Sequence, residues 1–219
     1  MKKFFVAVII CFSIFCLFGC ERKVDISTQF SEITYEYYSG QSVCGKVVAN
    51  ISVGEREDPY IIDGKHETTC EFSLLVVSFD FWLEENNITI EFFKNQSMQS
   101  VMLEFNPLNS TYMTDLGFAL DNESEYYMVY KNYTLSFSMI SKDFKVDFED
   151  AIMLSLSELG DKVQAYYQGK NFEGECYLKI LRRVEEEVKF YWIFTIIGID
   201  GKSNNVLIDI DKREIILSN

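Results

Sequence analysis

Proline is almost absent from this chain of 219 residues, which contains two, and histidine occurs once, as His66. Glycine numbers eleven and is concentrated nowhere, so no glycine-rich phosphate loop and no proline- or glycine-rich linker divides the chain. A lone histidine narrows the nucleophilic chemistry on offer. Any Ser-His-Asp or Cys-His mechanism would have to use His66, and no serine or cysteine sits in a nucleophile-elbow context. Basic residues are outnumbered by acidic ones, 20 to 34, for a formal net charge of −14. So acidic a chain repels phosphate backbones, which excludes nucleic acid as a partner. What the chain does have is apolar surface: 48% hydrophobic residues and 16% Phe, Trp and Tyr, well above a disordered composition.

The longest apolar run stands at the N-terminus. Lys2 and Lys3 precede Phe4 to Phe18, a run shorter than the roughly 20 residues of a spanning helix and patterned like an export signal; an uncut anchor is the alternative. The run ends in Leu17-Phe18-Gly19-Cys20, which resembles the lipobox of prokaryotic lipoproteins. That resemblance implies cleavage before Cys20 and attachment of diacylglycerol to its sulfur, and two or more acyl chains anchor a protein stably. Removing residues 1–19 leaves 219 − 19 = 200 residues and takes away two lysines, so the mature charge becomes −14 − 2 = −16. The expected address is the outer face of the cell membrane, with the globular part tied to the bilayer by lipid.

After an expected tether over 20–31, residues 32–140 alternate with a period of two. In "NITIEFF" Ile88, Ile90 and Phe92 share a face, in "TLSFSM" Leu135, Phe137 and Met139 do, and "VMLEF" aligns Val101, Leu103 and Phe105. "FSLLVVSFDFW", Phe72 to Trp82, is apolar on both faces, as a covered central strand is. Six to eight such segments, separated by polar turns, predict an antiparallel sandwich- or barrel-like domain. Near residue 147 the period changes. Asp147 is placed to cap a helix over "FEDAIMLSLSEL", with Gly160 just past its end and Phe148, Ile152, Leu156 and Leu159 along one stripe, widened by Ala151 and Ser155. "KVQAYYQ", "ECYLKIL", "VKFYWIFTIIG" and "NVLIDI" then read as strands. The expected fold is α+β: a mostly antiparallel β domain, then a small helix-plus-sheet domain over 141–219. The opening "VDFEDAI" and closing "YWIFTIIGIDGKSNNVLIDIDKREII" of this last part resemble the PepSY domain, found in propeptides of secreted metallopeptidases and in exported proteins. The resemblance implies a partner, a secreted peptidase that the chain inhibits or chaperones.

Few residues invite a chemical role. Outside the cytoplasm thiols tend to pair, and Cys44 with Cys70 would close a loop within the β half, leaving Cys176 over; three buried thiols are the alternative. A metal site at His66 with Cys70 and Cys44 matches no zinc spacing. Glu185 to Glu187 and the trio Asp200, Asp209 and Asp211 have calcium-type oxygens, but solvated turns account for them better. Trp82 and Trp192 lie inside apolar runs, which favours core packing over a sugar-stacking platform. Asn50, Asn87, Asn95, Asn109, Asn122 and Asn132 all open Asn-x-Ser/Thr sequons. In a bacterium these mark polar strand faces and turns, in an archaeon a glycosylated surface. No catalytic constellation, cofactor or metal is expected. The function expected from sequence is a lipid-anchored binding or structural protein, with peptidase modulation as the second class and a carboxylate-dependent hydrolase as the third.

Overall fold

The computed structural model describes Ile26 and residues 29–169, 171–184 and 187–218. The expected signal, the lipidation residue Cys20 and most of the tether lie outside the described residues. The tether is shorter than expected, because the first strand begins at Phe30, and Phe30 and Ser31 are both buried.

Alternating side chains and polar turns build the first part of the chain. β1 (Phe30–Gln41), β2 (Val47–Glu57) and β3 (Thr69–Phe79) form an antiparallel meander. β4 (Asn87–Lys94) and β5 (Ser97–Asn106) make a hairpin, and β6 (Thr111–Asp115) joins it to β3. β7 (Tyr126–Tyr130) and β8 (Tyr133–Ser136) extend the other edge of that hairpin. Beyond Phe137 the chain continues as β9 (Ser138–Met139), where Met139 pairs with Tyr38 and Ser138 with Ser39 of β1. The chain thus comes back, after β8, to the strand from which it started. Every second residue of these strands faces one enclosed core, which holds Ile51, Leu75, Ile90, Leu103, Met128 and Leu135, each at most 1% exposed.

The change of period near residue 147 is a helix, α1 (Phe148–Leu159), opened as expected by Asp147, whose Oδ1 accepts from the Asp150 amide at 2.8 Å, and ended at Gly160 with φ +48°. Its buried line runs through Ala151, Ser155 and Leu159, with Phe148, Ile152 and Leu156 half-buried beside it. "KVQAYYQ" is not a full strand. Gly160–Tyr166 is a 3-10 turn, followed by two short strands, β10 (Tyr167–Gln168) and β11 (Asn171–Phe172), paired with each other. Val163 and Tyr166 at i, i+3 bury against the second core, and that packing overrides the alternation read from sequence. β12 (Gly174–Val184), β13 (Val188–Gly198), β14 (Ser203–Asp209) and β15 (Glu214–Ser218) form an antiparallel meander on which α1 lies.

Both parts belong to a single mixed sheet of thirteen strands among the described residues. β1 is the shared member. One edge pairs with β2 along its length; the other pairs first in parallel with β12, Phe30 opposite Cys176 and Ile33 opposite Leu178, and then with β9. Phe30 and Ile33 accordingly belong to the second core, under α1, while Tyr38 belongs to the first. The sheet thus runs on across residue 140 without a break.

Candidate functional site

The core-facing side of β1, β2 and β3 changes character at one end. Antiparallel partners project to the same side of a sheet, and on this face Ile51 lies opposite Leu75, Val53 opposite Ser73 and Glu55 opposite Glu71, with Glu36 opposite Val53 on β1. Going from the middle of the strands toward this end, the apolar core therefore gives way to three carboxylates and a hydroxyl. The space in front of them is a cleft of about 360 Å³, walled also by Tyr35, Phe72, Asp115 and the loop Gly117–Leu120.

Neutral donors serve two of the acids. The Tyr38 hydroxyl donates to Glu36 Oε2 at 2.9 Å, and the Thr69 hydroxyl to Glu55 Oε2 at 3.2 Å. Burial, then its hydrogen bond to Glu55, pushes the Tyr35 phenol up to about 12. Asp115 is satisfied by Arg56 Nη2 at 2.7 Å and by the Gly117 amide at 2.9 Å, and the Arg56 guanidinium rests 5.0 Å above the Phe72 ring. No ion pair joins Glu36, Glu55 or Glu71 to a lysine or arginine among the described residues. Ser73 is 2% exposed and its hydroxyl has no hydrogen-bond partner among the described residues. The loop that closes the cleft is pinned at its far side, where Lys94 Nζ meets Asp121 Oδ2 at 2.5 Å and, by donating to it, holds that carboxyl down at about 2.

Beside the cleft, the segment 58–68 is strapped across the seam between β1 and β12. Glu57, 2% exposed, accepts from the Ser31 hydroxyl at 2.7 Å and from the Glu67 amide, and Glu175, wholly buried, accepts from the Gly64 amide at 2.9 Å. Lys179 bridges Glu32 at 2.7 Å and the Tyr60 hydroxyl at 2.8 Å. These buried carboxylates tie the strap down through its own main chain.

No protein-family model matches the chain, and no curated protein or solved structure matches it, so the reading of the site rests on its own residues.

Several residues singled out in the sequence lie elsewhere. Cys44 and Cys70 are free and exposed at opposite ends of β2: Cys44 is in the turn before Val47, and Cys70 lies opposite Arg56. The length of strand between, about 30 Å at ~3.3 Å per residue, is far beyond disulfide reach, so the expected pairing is not made. Cys176 is buried under α1, and burial pushes its thiol upward, whereas the Lys46 amide and the Ser42 hydroxyl lower that of Cys44. Alkylation of the native protein followed by peptide mapping is expected to label Cys44 first, then Cys70, and Cys176 only after unfolding; early labelling of Cys176 would contradict this packing.

His66 Nδ1 stands 3.4 Å from Glu57 Oε1, and no three metal-ligating side chains converge among the described residues. Asp209 closes the β14–β15 turn by accepting from the amides of Asp211 and Lys212, and Asp200 pairs with Lys202 at 2.7 Å. Glu185 and Glu186 lie outside the described residues. The two tryptophans separate: Trp192 is 1% exposed, but Trp82 is 76% exposed, past the end of β3, at the rim of a smaller cleft with Phe81, Phe105 and Tyr112. Asn87, Asn95, Asn109, Asn122 and Asn132 are exposed, and Asn50, on β2, is half-buried, accepting from the Ser39 hydroxyl at 2.9 Å.

The cleft acids Glu36, Glu55 and Glu71 and the floor hydroxyl of Ser73 were not singled out from sequence. A signal existed: in "VANISVGERE" the series Ala49, Ile51, Val53 runs into Glu55, and in "TCEFSLLVV" the series Val77, Leu75 runs back into Ser73 and Glu71. Two strands whose core-facing series turn polar at one end mark a site once their register is known.

Proposed function

We propose that this chain is a lipid-anchored, extracytoplasmic binding protein without catalytic activity, whose ligand enters the open end of a barrel-like N-terminal half. The observation that carries this reading is the cleft itself, where the core-facing series of β1, β2 and β3 ends in carboxylates that no lysine or arginine pairs with among the described residues. A roomy depression at the mouth of a closed sheet, lined by aromatic faces and a few convergent polar groups, is the usual form of a small-ligand site. The N-terminal export pattern and the lipobox-like Leu17 to Cys20 support the address.

A screen of small molecules by thermal shift tests the site, run on the full chain and on an Ala119→Trp variant. Ala119 is exposed on the loop at the cleft, so an indole there fills the space without entering the core. Ligands that raise the melting temperature of the parent and not of the variant are expected; a panel in which the two respond alike would sink the cleft as the site. The anchor is tested by intact mass of protein extracted from its membrane, expected to begin at Cys20 with acyl chains attached.

The helix laid on the β12–β15 meander favours a second reading, a PepSY-like half over 141–219 that modulates a secreted peptidase. Inhibition of a co-purifying peptidase by the full chain would support it, and an unchanged peptidase rate would remove it.

A further inference from the structure

The cleft has a chemical preference, and the inference that follows rests on the reading of it as a ligand site. Glu55 and Glu71 are direct cross-strand partners on one face, with Cβ atoms about 4.5–5.5 Å apart, an arrangement in which like charges repel. Nothing in the described chain neutralises them or Glu36. An independent feature lies between them and the core: the Ser73 hydroxyl, 2% exposed and without a partner among the described residues, on the same face as Glu71 and two residues from it. A buried hydroxyl left without a partner costs stability unless something arrives to meet it. Both features call for a ligand that carries positive charge and several donors.

The same strands already hold one such group on their opposite face, where Arg56 lays its guanidinium over Phe72 at 5.0 Å and gives its Nη2 to Asp115 at 2.7 Å. A guanidinium is planar, presents five N–H donors in a fixed fork, is weakly hydrated and stacks on aromatic faces; an ammonium offers a compact, strongly hydrated charge. Two carboxylates facing each other, with the Tyr35 ring among the cleft's walls, match the fork better than the point charge.

We infer that the cleft binds a guanidinium group, held between Glu55 and Glu71 with an N–H directed to the Ser73 hydroxyl. The group has two possible sources, a small free guanidine or the arginine side chain of a peptide.

Titration calorimetry on the full chain tests this with four probes: ethylguanidinium, the blocked tripeptide Ala-Arg-Ala, and the same tripeptide with lysine or with neutral, isosteric citrulline in the middle. The arginine peptide is expected to bind at least tenfold more tightly than the citrulline peptide and several-fold more tightly than the lysine peptide. Its affinity is expected to fall with added salt, by at least tenfold in a Glu55→Gln/Glu71→Gln double variant, and several-fold in Ser73→Ala. Removing a like-charged pair should not unfold the protein, and an unchanged melting temperature in the double variant verifies that. Ethylguanidinium binding as well as the peptide assigns a free guanidine as the source; peptide binding alone assigns an arginine side chain. Equal binding of arginine and citrulline peptides, or full affinity in the double variant, overturns the inference. So does the absence of binding by both guanidinium probes. In either case a neutral ligand lost on Ala119→Trp would leave the binding reading standing, whereas no discrimination by that variant would remove both.

Discussion

Replacing Gly54 by alanine is expected to lower stability by about 3 kcal/mol, toward the upper end of what overpacking costs, and the melting temperature by roughly 6–12 °C for a domain of this size. The reason is distance. A Cβ at position 54 would stand 1.9 Å from the carbonyl oxygen of Ile33 and 3.0 Å from Cα of Thr34, and both neighbours are main chain. Main chain can retreat only by opening the β1–β2 ladder, at the place where its register already shifts between Thr34 and Glu36. β1 is the strand on which both cores depend, so the loss is expected to be global and cooperative. Urea titration followed by tryptophan fluorescence and far-UV dichroism together measures it. Coincident transitions displaced to lower urea are the expected result, and a melting temperature within 1 °C of the parent would mean that the bulge absorbs the methyl group. Because Gly54 also lines the cleft, the variant is a poor probe of binding.

Trp192→Ala is expected to cost about 3–5 kcal/mol, whereas Trp82→Ala should stay within ~0.5 kcal/mol of the parent. Trp192 is 1% exposed, packs edge-on against Phe144 at 6.2 Å, and donates its indole N–H to the Val146 carbonyl at 2.8 Å, just before α1 begins. Its loss leaves both a cavity beneath the helix and a carbonyl without its donor. Trp192→Phe separates the two effects, keeping most of the volume and costing about 1 kcal/mol for the lost hydrogen bond. Trp82 meets the Phe105 ring edge-on and is open to solvent over most of its surface. Equal destabilisation by the two alanine variants, measured by urea denaturation, would contradict the placement of one inside and the other outside.

That contrast shows where sequence reasoning stops. Both tryptophans sit in apolar runs of similar length, "FSLLVVSFDFW" and "VKFYWIFTIIG". In the first, β3 ends at Phe79, so Trp82 lies in the following loop; in the second, Trp192 lies opposite Ile180 and Ile208 in the middle of a three-strand stretch. Hydropathy does not reveal where a strand stops when its last apolar residues serve a loop. The cysteines teach a similar lesson. Cys44 and Cys70 are close in sequence and both in the β half, but the β2–β3 register sends them to opposite ends of one strand.

The cleft was partly legible for the same reason that it was missed. Alternation identifies Glu55 and Glu71 as members of their strands' core-facing series, yet a carboxylate at the end of such a series looks like an ordinary solvated strand end. Only the pairing of Glu55 with Glu71, and of Val53 with Ser73 and Glu36, gathers the groups on one face.

By itself the sequence determined the things that are local. Alternation specified strands over most of 30–139, Asp147 and Gly160 marked the two ends of α1, and the surplus of acids set the net negative charge of the chain. Each depends on residues within a few positions of one another, where side-chain direction and backbone hydrogen bonding follow directly from spacing. The tertiary structure alone decided the parallel seam between β1 and β12 and the return of β9 to β1. Those depend on pairings between strands over a hundred positions apart, selected by which apolar faces can be buried together, and no local period encodes that choice.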